Sequence, residues 1–373
     1  MATQTSPLNL NEFSPSSYPE WRKAAEESLK GAPFEKKLVT KTHEGIDLQP
    51  IYHQGDSDAA SSSWPGLAPF LRGTRPGARG SDPWLIAQEL PYGDAAAFNR
   101  AAKEDLMKGQ NALQLLLDLP TRQGISPAKA NPADVGQCGL SIDILQDLQA
   151  ALEDIHLEAI PLLAWSGASS LPLLSAIAAL AQDRKVPLSD LQGAILADPI
   201  GEWVGDGKLN FPLADAIAQM KETISWADAN GCPMRTIGVN GNIWSDSGAN
   251  AVQELAFSLS TGVFYLRELI QSEVPVDLVV QRMLFGFSLG TDLFMQMAKL
   301  RAARLLWWKA VDAFGGKNGV AFIHARSTMT NKSTLDPHTN MLRATAEAFA
   351  GVVGGADSLH VACFDEPVRA PDT

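Results

Sequence analysis

Cysteine is scarce and scattered: among 373 residues only Cys138, Cys232 and Cys363 carry thiols, an odd number without Cys-x-x-Cys spacing. That usage excludes a disulfide scaffold and a cysteine metal knuckle, and it predicts a reducing, cytoplasmic setting. No apolar run reaches the ~20 residues that a membrane-spanning helix requires. The N-terminus, MATQTSPLNLNEFSPSS, lacks the basic start and apolar stretch of a secretory signal. Neither a membrane nor secretion is expected. Positive charge is also short, because 30 basic side chains face 42 acidic ones and leave a net charge of −12. A polyanion such as nucleic acid is therefore not an expected partner, and a small anionic ligand would need a local basic patch. No Gly-x-Gly-x-x-Gly, Walker loop or His-Glu-x-x-His occurs, so neither a phosphate cradle nor a zinc helix is marked, and no metal ligands are predicted.

What is present is an ordinary globular composition, 45% hydrophobic and 19% charged. The length suits two domains, or one α/β barrel of about 250 residues with an appendage. Residues 1–82 read as the appendage. Residues 1–20 are polar and form an arm, Pro19–Leu29 a short helix stopping at Gly31, and Lys37–Tyr52 an extended segment turning at His43–Gly45. The stretch 54–83 is rich in Gly, Pro and Ser and reads as loop. From residue 83 onward the texture alternates between short β-rich runs and helix-length segments. Strands are predicted at Trp84–Glu89, Ala112–Asp118, Ala159–Trp165, Ala194–Asp198, Arg235–Asn240, Met283–Ser288, Val320–Arg326 and Leu359–Phe364. Helical intervals between them include Asn250–Ser272 and Asp292–Phe314. Eight strands with intervening helices are the pattern of a (β/α)₈ TIM-type barrel, although periodicity alone leaves a doubly wound sheet open. Only nine residues follow Phe364, so the final barrel helix is expected to be missing from this chain.

In such a barrel the working groups stand at the C-terminal strand ends. Those positions supply Glu89, Asp118, Trp165, Ser166, Asp198, Asn240, Asn242, Ser288, His324, Arg326 and Asp365. A Ser288/His324/Asp118 triad can be drawn, but three common residues carry little specificity. His324 could serve as acid or base, yet a histidine hydrogen-bonded inside the barrel mouth is the favoured reading. Arg326 suits a phosphate or carboxylate, and equally an ion pair with Asp118 or Asp365. Asp336-Pro337-His338 resembles a cobalt-ligating Asp-x-His-x-x-Gly loop, but Met341 replaces the glycine. Asp336 reads instead as a helix cap with Pro337 at the first position and an end at Gly354-Gly355. Lys299 to Arg304, followed by Trp307-Trp308, reads as a packing helix whose basic face is solvated or salt-bridged.

The runs Phe34–Leu48, Gln253–Phe257, Lys299–Arg304, Gly354–His360 and Phe364–Glu366 together resemble the methylmalonyl-CoA mutase family, from about residue 19 to the end. The resemblance implies a substrate-binding (β/α)₈ barrel, with adenosylcobalamin held by a separate domain. It also implies, in many bacterial members, a catalytic large subunit paired with a related small one. The catalytic positions depart from the family pattern. Where catalytic chains carry Gly-Tyr-His after the fifth strand, this chain has Gly241-Asn242-Ile243. Where the fourth strand carries Gly-Thr-Ile-Gln-Asn-Asp, Ala194 and Leu196 replace the substrate-contacting Thr and Gln. Asp206 stands where an arginine meets the substrate carboxylate, and Ile86 aligns with the tyrosine of an Arg-Gln-Tyr run.

Loss of a charge-assisted hydrogen bond costs about 1.5–3 kcal/mol, and loss of an oxyanion donor about 10²–10³ in rate. Several such losses together leave no useful mutase. The resemblance therefore implies a non-catalytic small subunit of a heterodimer, with no cofactor of its own and a degenerate pocket. Asn240, His324 and Arg326 are its candidate residual polar groups. The alternatives are a diverged acyl-CoA isomerase or a CoA-ester-binding regulatory subunit.

Overall fold

The computed structural model describes residues 16–53, 56, 63–76 and 84–369. The arm expected over 1–15 and much of the loop expected over 54–83 lie outside the described residues. The chain divides into two units, 1–62 and 63–373. In the first, Ser17 and Glu20 form a capping box that starts α1 (Tyr18–Ser28), satisfying two orphan amides reciprocally. A short α2 (Phe34–Leu38) follows, its Phe34 ring edge-on to Trp21 and under the Arg22 guanidinium. The extended segment resolves into an antiparallel hairpin, β1 (Thr40–Lys41) and β2 (Asp47–Leu48). Its turn passes through Gly45 at φ +79°, a left-handed conformation that glycine adopts without Cβ strain.

The second unit holds eight parallel strands: β3 (Leu85–Ile86), β4 (Leu113–Gln114), β5 (Leu162–Trp165), β6 (Gly193–Ala197), β7 (Arg235–Asn240), β8 (Met283–Leu289), β9 (Phe322–Ser327) and β10 (Ser358–His360). Their order is β3-β10-β9-β8-β7-β6-β5-β4. The two ends meet where Glu89 bridges Gln114 in parallel and the Ala112 amide donates to Ile86 O at 3.2 Å. The sheet is thus a (β/α)₈ barrel, and closure settles what periodicity left open. The surrounding helices are α3 (Ala95–Met107), α4 (Leu119–Arg122), α5 (Leu145–Ala151), α6 (Ser170–Asp183), α7 (Pro199–Asp206), α8 (Leu213–Ala229), α9 (Asn242–Asp246), α10 (Ala251–Gln271), α11 (Val276–Gln281), α12 (Leu293–Ala313) and α13 (Asn340–Gly354). The expected intervals for α10 and α12 coincide with their caps: Asn250 accepts the Gln253 amide and Asp292 the Met295 amide. Gly355 at φ +92° ends α13 as expected, but Asp336 makes no side-chain cap and opens a single 3₁₀ turn.

Strand ends differ from expectation at three places. The predicted second strand runs to Asp118, yet the ladder stops at Gln114. The predicted eighth runs from Leu359 to Phe364, whereas β10 ends at His360. The first is reduced to two ladder residues with Glu89 in an isolated bridge. Past β3 and β4 the chain still makes single backbone bonds, such as Ala87 N to Leu359 O and Leu115 N to Leu163 O, without continuing the ladder, and composition does not mark where the ladder stops. Among the described residues, Val361–Arg369 form turns and no helix follows β10.

Inside the barrel Leu163, Ala194, Leu196 and Leu284 pack with Trp165 and Phe322. The Trp165 indole lies against two glycines on neighbouring strands. A Cβ at Gly238 would come 2.7 Å from its ring, and one at Gly286 2.9 Å, so only glycine leaves room for it. Outside the barrel, the basic run on α12 is salt-bridged and buried rather than solvated. Lys299 Nζ donates to Glu254 on α10 and to Ser288 O on β8. Arg304 donates to Ala321 O, Gly355 O and Asp357, tying α12 to the starts of β9 and β10. Removing one partner of such a pair strands a charge, so Glu254→Ala should lower the unfolding free energy by about 3–5 kcal/mol. Glu254→Leu combined with Lys299→Met should recover most of that loss, as read from urea midpoints.

Candidate functional site

Above Trp165, at the C-terminal strand ends, lies a cavity of about 1220 Å³. Its polar floor centres on Glu89, just past β3. Arg326 at the end of β9 grips this carboxylate with Nε to Oε1 at 2.9 Å and Nη2 to Oε2 at 3.3 Å. The geometry is the two-pronged fork that makes arginine a strong carboxylate partner. Gln114 donates from Nε2 to Glu89 Oε1 at 3.3 Å, and the Glu89 amide donates to His360 Nδ1 at 3.1 Å. Burial alone would raise the Glu89 pKa, but His360 and Arg326 outweigh that penalty and bring it down to about 2. Glu89 is therefore an anion across the physiological range.

Arg326 thus chooses neither of the partners its sequence position suggested. Asp118 is instead the cap of α4, accepting the Thr121 amide at 2.9 Å and the Gly136 amide at 2.7 Å. Asp365 pairs with Arg369. The triad is likewise not assembled: Ser288 Oγ donates to Asn242 at 2.9 Å, while His324 Nδ1 pairs with Ser358 Oγ at 2.7 Å. His324 does not line the cavity. It lies buried below the mouth, and burial, aided by His360, lowers its pKa to about 4. The hydrogen-bonded reading of His324 is correct, but it is not a pocket residue. Asn240 and Asn242 do line the cavity. They engage each other, with Asn242 Nδ2 donating to Asn240 Oδ1 at 2.9 Å.

The positions that the sequence pattern aligned with the family's catalytic ones fall in different surroundings. Ile86 and Ile243 present apolar side chains to the cavity. Ala194 and Leu196 are buried in the barrel interior. Asp206, at the end of α7, faces Arg122 at 3.9 Å beside a smaller cavity of about 70 Å³. Within that smaller cavity Glu202 has its pKa raised to about 7, first by burial and then by Asp198. Asp198 itself is spent on structure, accepting from Tyr265 Oη at 2.6 Å and from the amides of Asn240 and Gly201.

Gln114, His360, Asp246 and Glu366 also line the main cavity and were missed as site residues. The signal was partly available, since Gln114 and His360 stand at true strand ends concealed by the longer apolar runs. Donor atoms of Glu89, His360 and Glu366 lie within 4.8 Å of one another, close enough to suggest a metal. The hydrogen bonds disagree. His360 Nδ1 already accepts an amide proton, so the neutral ring carries its proton on Nε2 and has no lone pair left to give. Arg326 also occupies both Glu89 oxygens. These residues do not fit a metal ion.

The fold is an α/β barrel with a packed axis and a polar cavity over the C-terminal strand ends. The methylmalonyl-CoA mutase family model matches residues 41–373, and the chain belongs to that family. It is 31% identical over 359 residues to the methylmalonyl-CoA mutase of Escherichia coli K12, covering 94% of this chain and 50% of that protein. It is 30% identical to the methylmalonyl-CoA mutase large subunit of Streptomyces virginiae, covering 94% and 49% respectively. The human mitochondrial methylmalonyl-CoA mutase is 29% identical, covering 95% and 48%. The chain thus spans about half the length of the curated relatives it matches.

His324 gives the site a measurable acid response. Its folded pKa of about 4 lies below the ordinary 6.5, so the unfolded chain binds the proton more readily between those values. The stability contribution is complete above about pH 6.5 and lost as the pH falls toward 4, on the order of 2 kcal/mol by about pH 5. His324→Gln, which can keep the bond to Ser358, should show a correspondingly smaller drop in urea midpoint between neutral and mildly acid buffer.

Proposed function

We propose that this chain is the small, non-catalytic subunit of a heterodimeric mutase. In this reading it is a barrel that stabilises a catalytic large subunit interconverting methylmalonyl-CoA and succinyl-CoA. The observation that carries the reading is the state of the mouth. Ile243 and Ile86 line it without offering a hydrogen bond to a thioester, Asp206 in the adjoining smaller cavity puts a carboxylate where the resemblance expects an arginine, and Trp165 closes the barrel axis beneath them. A relative named as a large subunit supports a two-subunit arrangement. So do the exposed apolar side chains on α13, where Leu342 is 76% and Phe349 58% exposed. No contiguous group of this kind is comfortable in water without a partner.

Adenosylcobalamin belongs to the partner in this scheme. His338 lies in the middle of the 3₁₀ turn Pro337–Thr339 and stacks on Phe364 at 5.5 Å, and the loop lacks the glycine of the cobalt-ligating pattern. The three free cysteines support a reducing cytoplasm. The open cavity keeps a second reading in view, a regulatory subunit that binds a CoA ester without turnover.

Two measurements test the proposal. Mixed with a catalytic large subunit, the chain should elute as a one-to-one complex with an interface above about 2,000 Å². A chain that stays a stable monomer and leaves the large subunit's thermal stability unchanged would remove the scaffold role. Calorimetric titration with succinyl-CoA should show no heat up to about millimolar ligand, a free energy near −4 kcal/mol. Saturable micromolar binding lost in Arg326→Ala would favour the regulatory reading instead.

A further inference from the structure

Each strand from β3 to β9 is followed by at least one helix before the next strand, whereas among the described residues β10 is followed only by turns. β10 lies between β3 and β9 in the sheet, so the uncovered stretch falls between α3, which follows β3, and α13, which follows β9. The main cavity extends into this gap. From the mouth it continues past Ala101, Glu104, Asp105 and Lys108, whose spacing puts them on one face of α3 and its C-cap. It reaches Gln110, whose Nε2 donates to Ala112 O just before β4 begins. The space is therefore a groove that runs down the barrel wall toward the N-terminal strand ends, as well as a bowl over the mouth.

The floor of this groove is an outer strand face. On β3, Leu85 packs into the barrel interior, so the next residue, Ile86, points outward. Ile86 is 37% exposed there, although a parallel strand ordinarily buries both faces. The polar groups beside it are already engaged. The Gln88 amide exchanges hydrogen bonds of 3.0 and 2.8 Å with the Val361 backbone, and Lys108 is held by Glu104 at 2.7 Å. Asp105 on α3 and Glu366 in the turns after β10 also line the cavity, and among the described residues neither has an ion pair within 4 Å. Cys363 feels both acids: burial, then Glu366, Asp365 and Asp105, push its thiol up. The two carboxylates thus flank one strip of wall.

The fold sets what can cover that strip. β3 and β10 are hydrogen-bonded to each other in a closed sheet, so no backbone edge is open to an added strand. The cover used on the other strands of this barrel is a helix with one apolar face. The acidic rims add a charge requirement, favouring basic side chains along the flanks of such a helix and repelling acidic ones.

We propose that the groove between α3 and the turns after β10 receives an amphipathic helix of another protein, with apolar side chains on Ile86 and Ala101 and lysine or arginine against Asp105 and Glu366. About three turns, roughly 16 Å, would match the 13 residues of α3. This surface goes beyond the subunit role proposed above and does not rest on it. It is also distinct from the exposed Leu342 and Phe349 of α13, which do not line the groove.

The test is fluorescence anisotropy of the full chain with a labelled, end-capped peptide of about 14 residues, alanine-based, with a leucine stripe and lysines along both flanks. Two further peptides accompany it, one with glutamate in place of lysine and one of identical composition with the stripe scrambled. Saturable binding of the lysine peptide is expected, at least tenfold tighter than that of the glutamate peptide, with no saturation by the scrambled one. Ile86→Lys should weaken the lysine peptide at least tenfold. The Asp105→Lys/Glu366→Lys pair should reverse the preference and make the glutamate peptide the tighter ligand, a gain of binding that an unfolded variant could not show. Leu342→Ser/Phe349→Ser should leave the affinity unchanged. The proposal is overturned by a lysine peptide that fails to saturate at millimolar concentration, or by a scrambled peptide that binds equally well. It is overturned as well if the α13 pair removes binding while Ile86→Lys does not. Self-association of the chain that Ile86→Lys disrupts and the peptide cannot compete with would also overturn it, by making the groove an interface between copies.

Discussion

The Trp165 indole lying across two glycines decides the shape of everything above it. At the end of β5 it reaches over β7 and β8, where Gly238 and Gly286 leave no Cβ in its way. The barrel axis below is then filled by Leu163, Leu196, Leu284 and Phe322. Space that would otherwise run down the axis is confined to the mouth, and the strand-end side chains become its floor. The same ring supplies part of the wall, so one packing choice both closes the core and defines the cavity.

Charge is distributed by the same logic of enclosure. Away from the mouth the fold pairs several of its buried charges, Lys299 with Glu254, Arg304 with Asp357, and Lys332 with Glu347, while Asp118 and Asp198 are answered by hydrogen bonds alone. These pairs join α12 and α13 to their neighbours and to the strands, and they constrain geometry more than they add stability. At the mouth the pairing is incomplete. Glu89 and Arg326 form an ion pair, whereas Asp105, Asp246 and Glu366 feel Lys108 or Arg326 without pairing with them.

Family membership and site chemistry give separate answers here. The family's barrel is retained from end to end of the matched region. The cavity over its strand ends is lined by Ile86 and Ile243 beside the hydrogen-bonding groups Glu89, Gln114, Asn240, Arg326 and His360. A barrel tolerates this because its stability lies in the strand ladder and the helix layer, whereas its chemistry lies in side chains that the ladder does not use.

The sequence by itself determined the alternation of eight strands with helices and the extent of α10 and α12. Each of these is a local property, whether strand and helix period or capping residue. It also placed Arg326 and Asn240 at the mouth, since both stand at strand C-termini read correctly or within one residue. Only the tertiary structure decided that Arg326 takes Glu89, that His324 sinks beneath the cavity, and that Gln114 and His360 rise into its wall. Those outcomes depend on where each ladder runs out of hydrogen-bonding neighbours and on which side chains closure brings face to face. Arg326 and Glu89 are 237 residues apart in the chain, and only the closing of the sheet makes them neighbours.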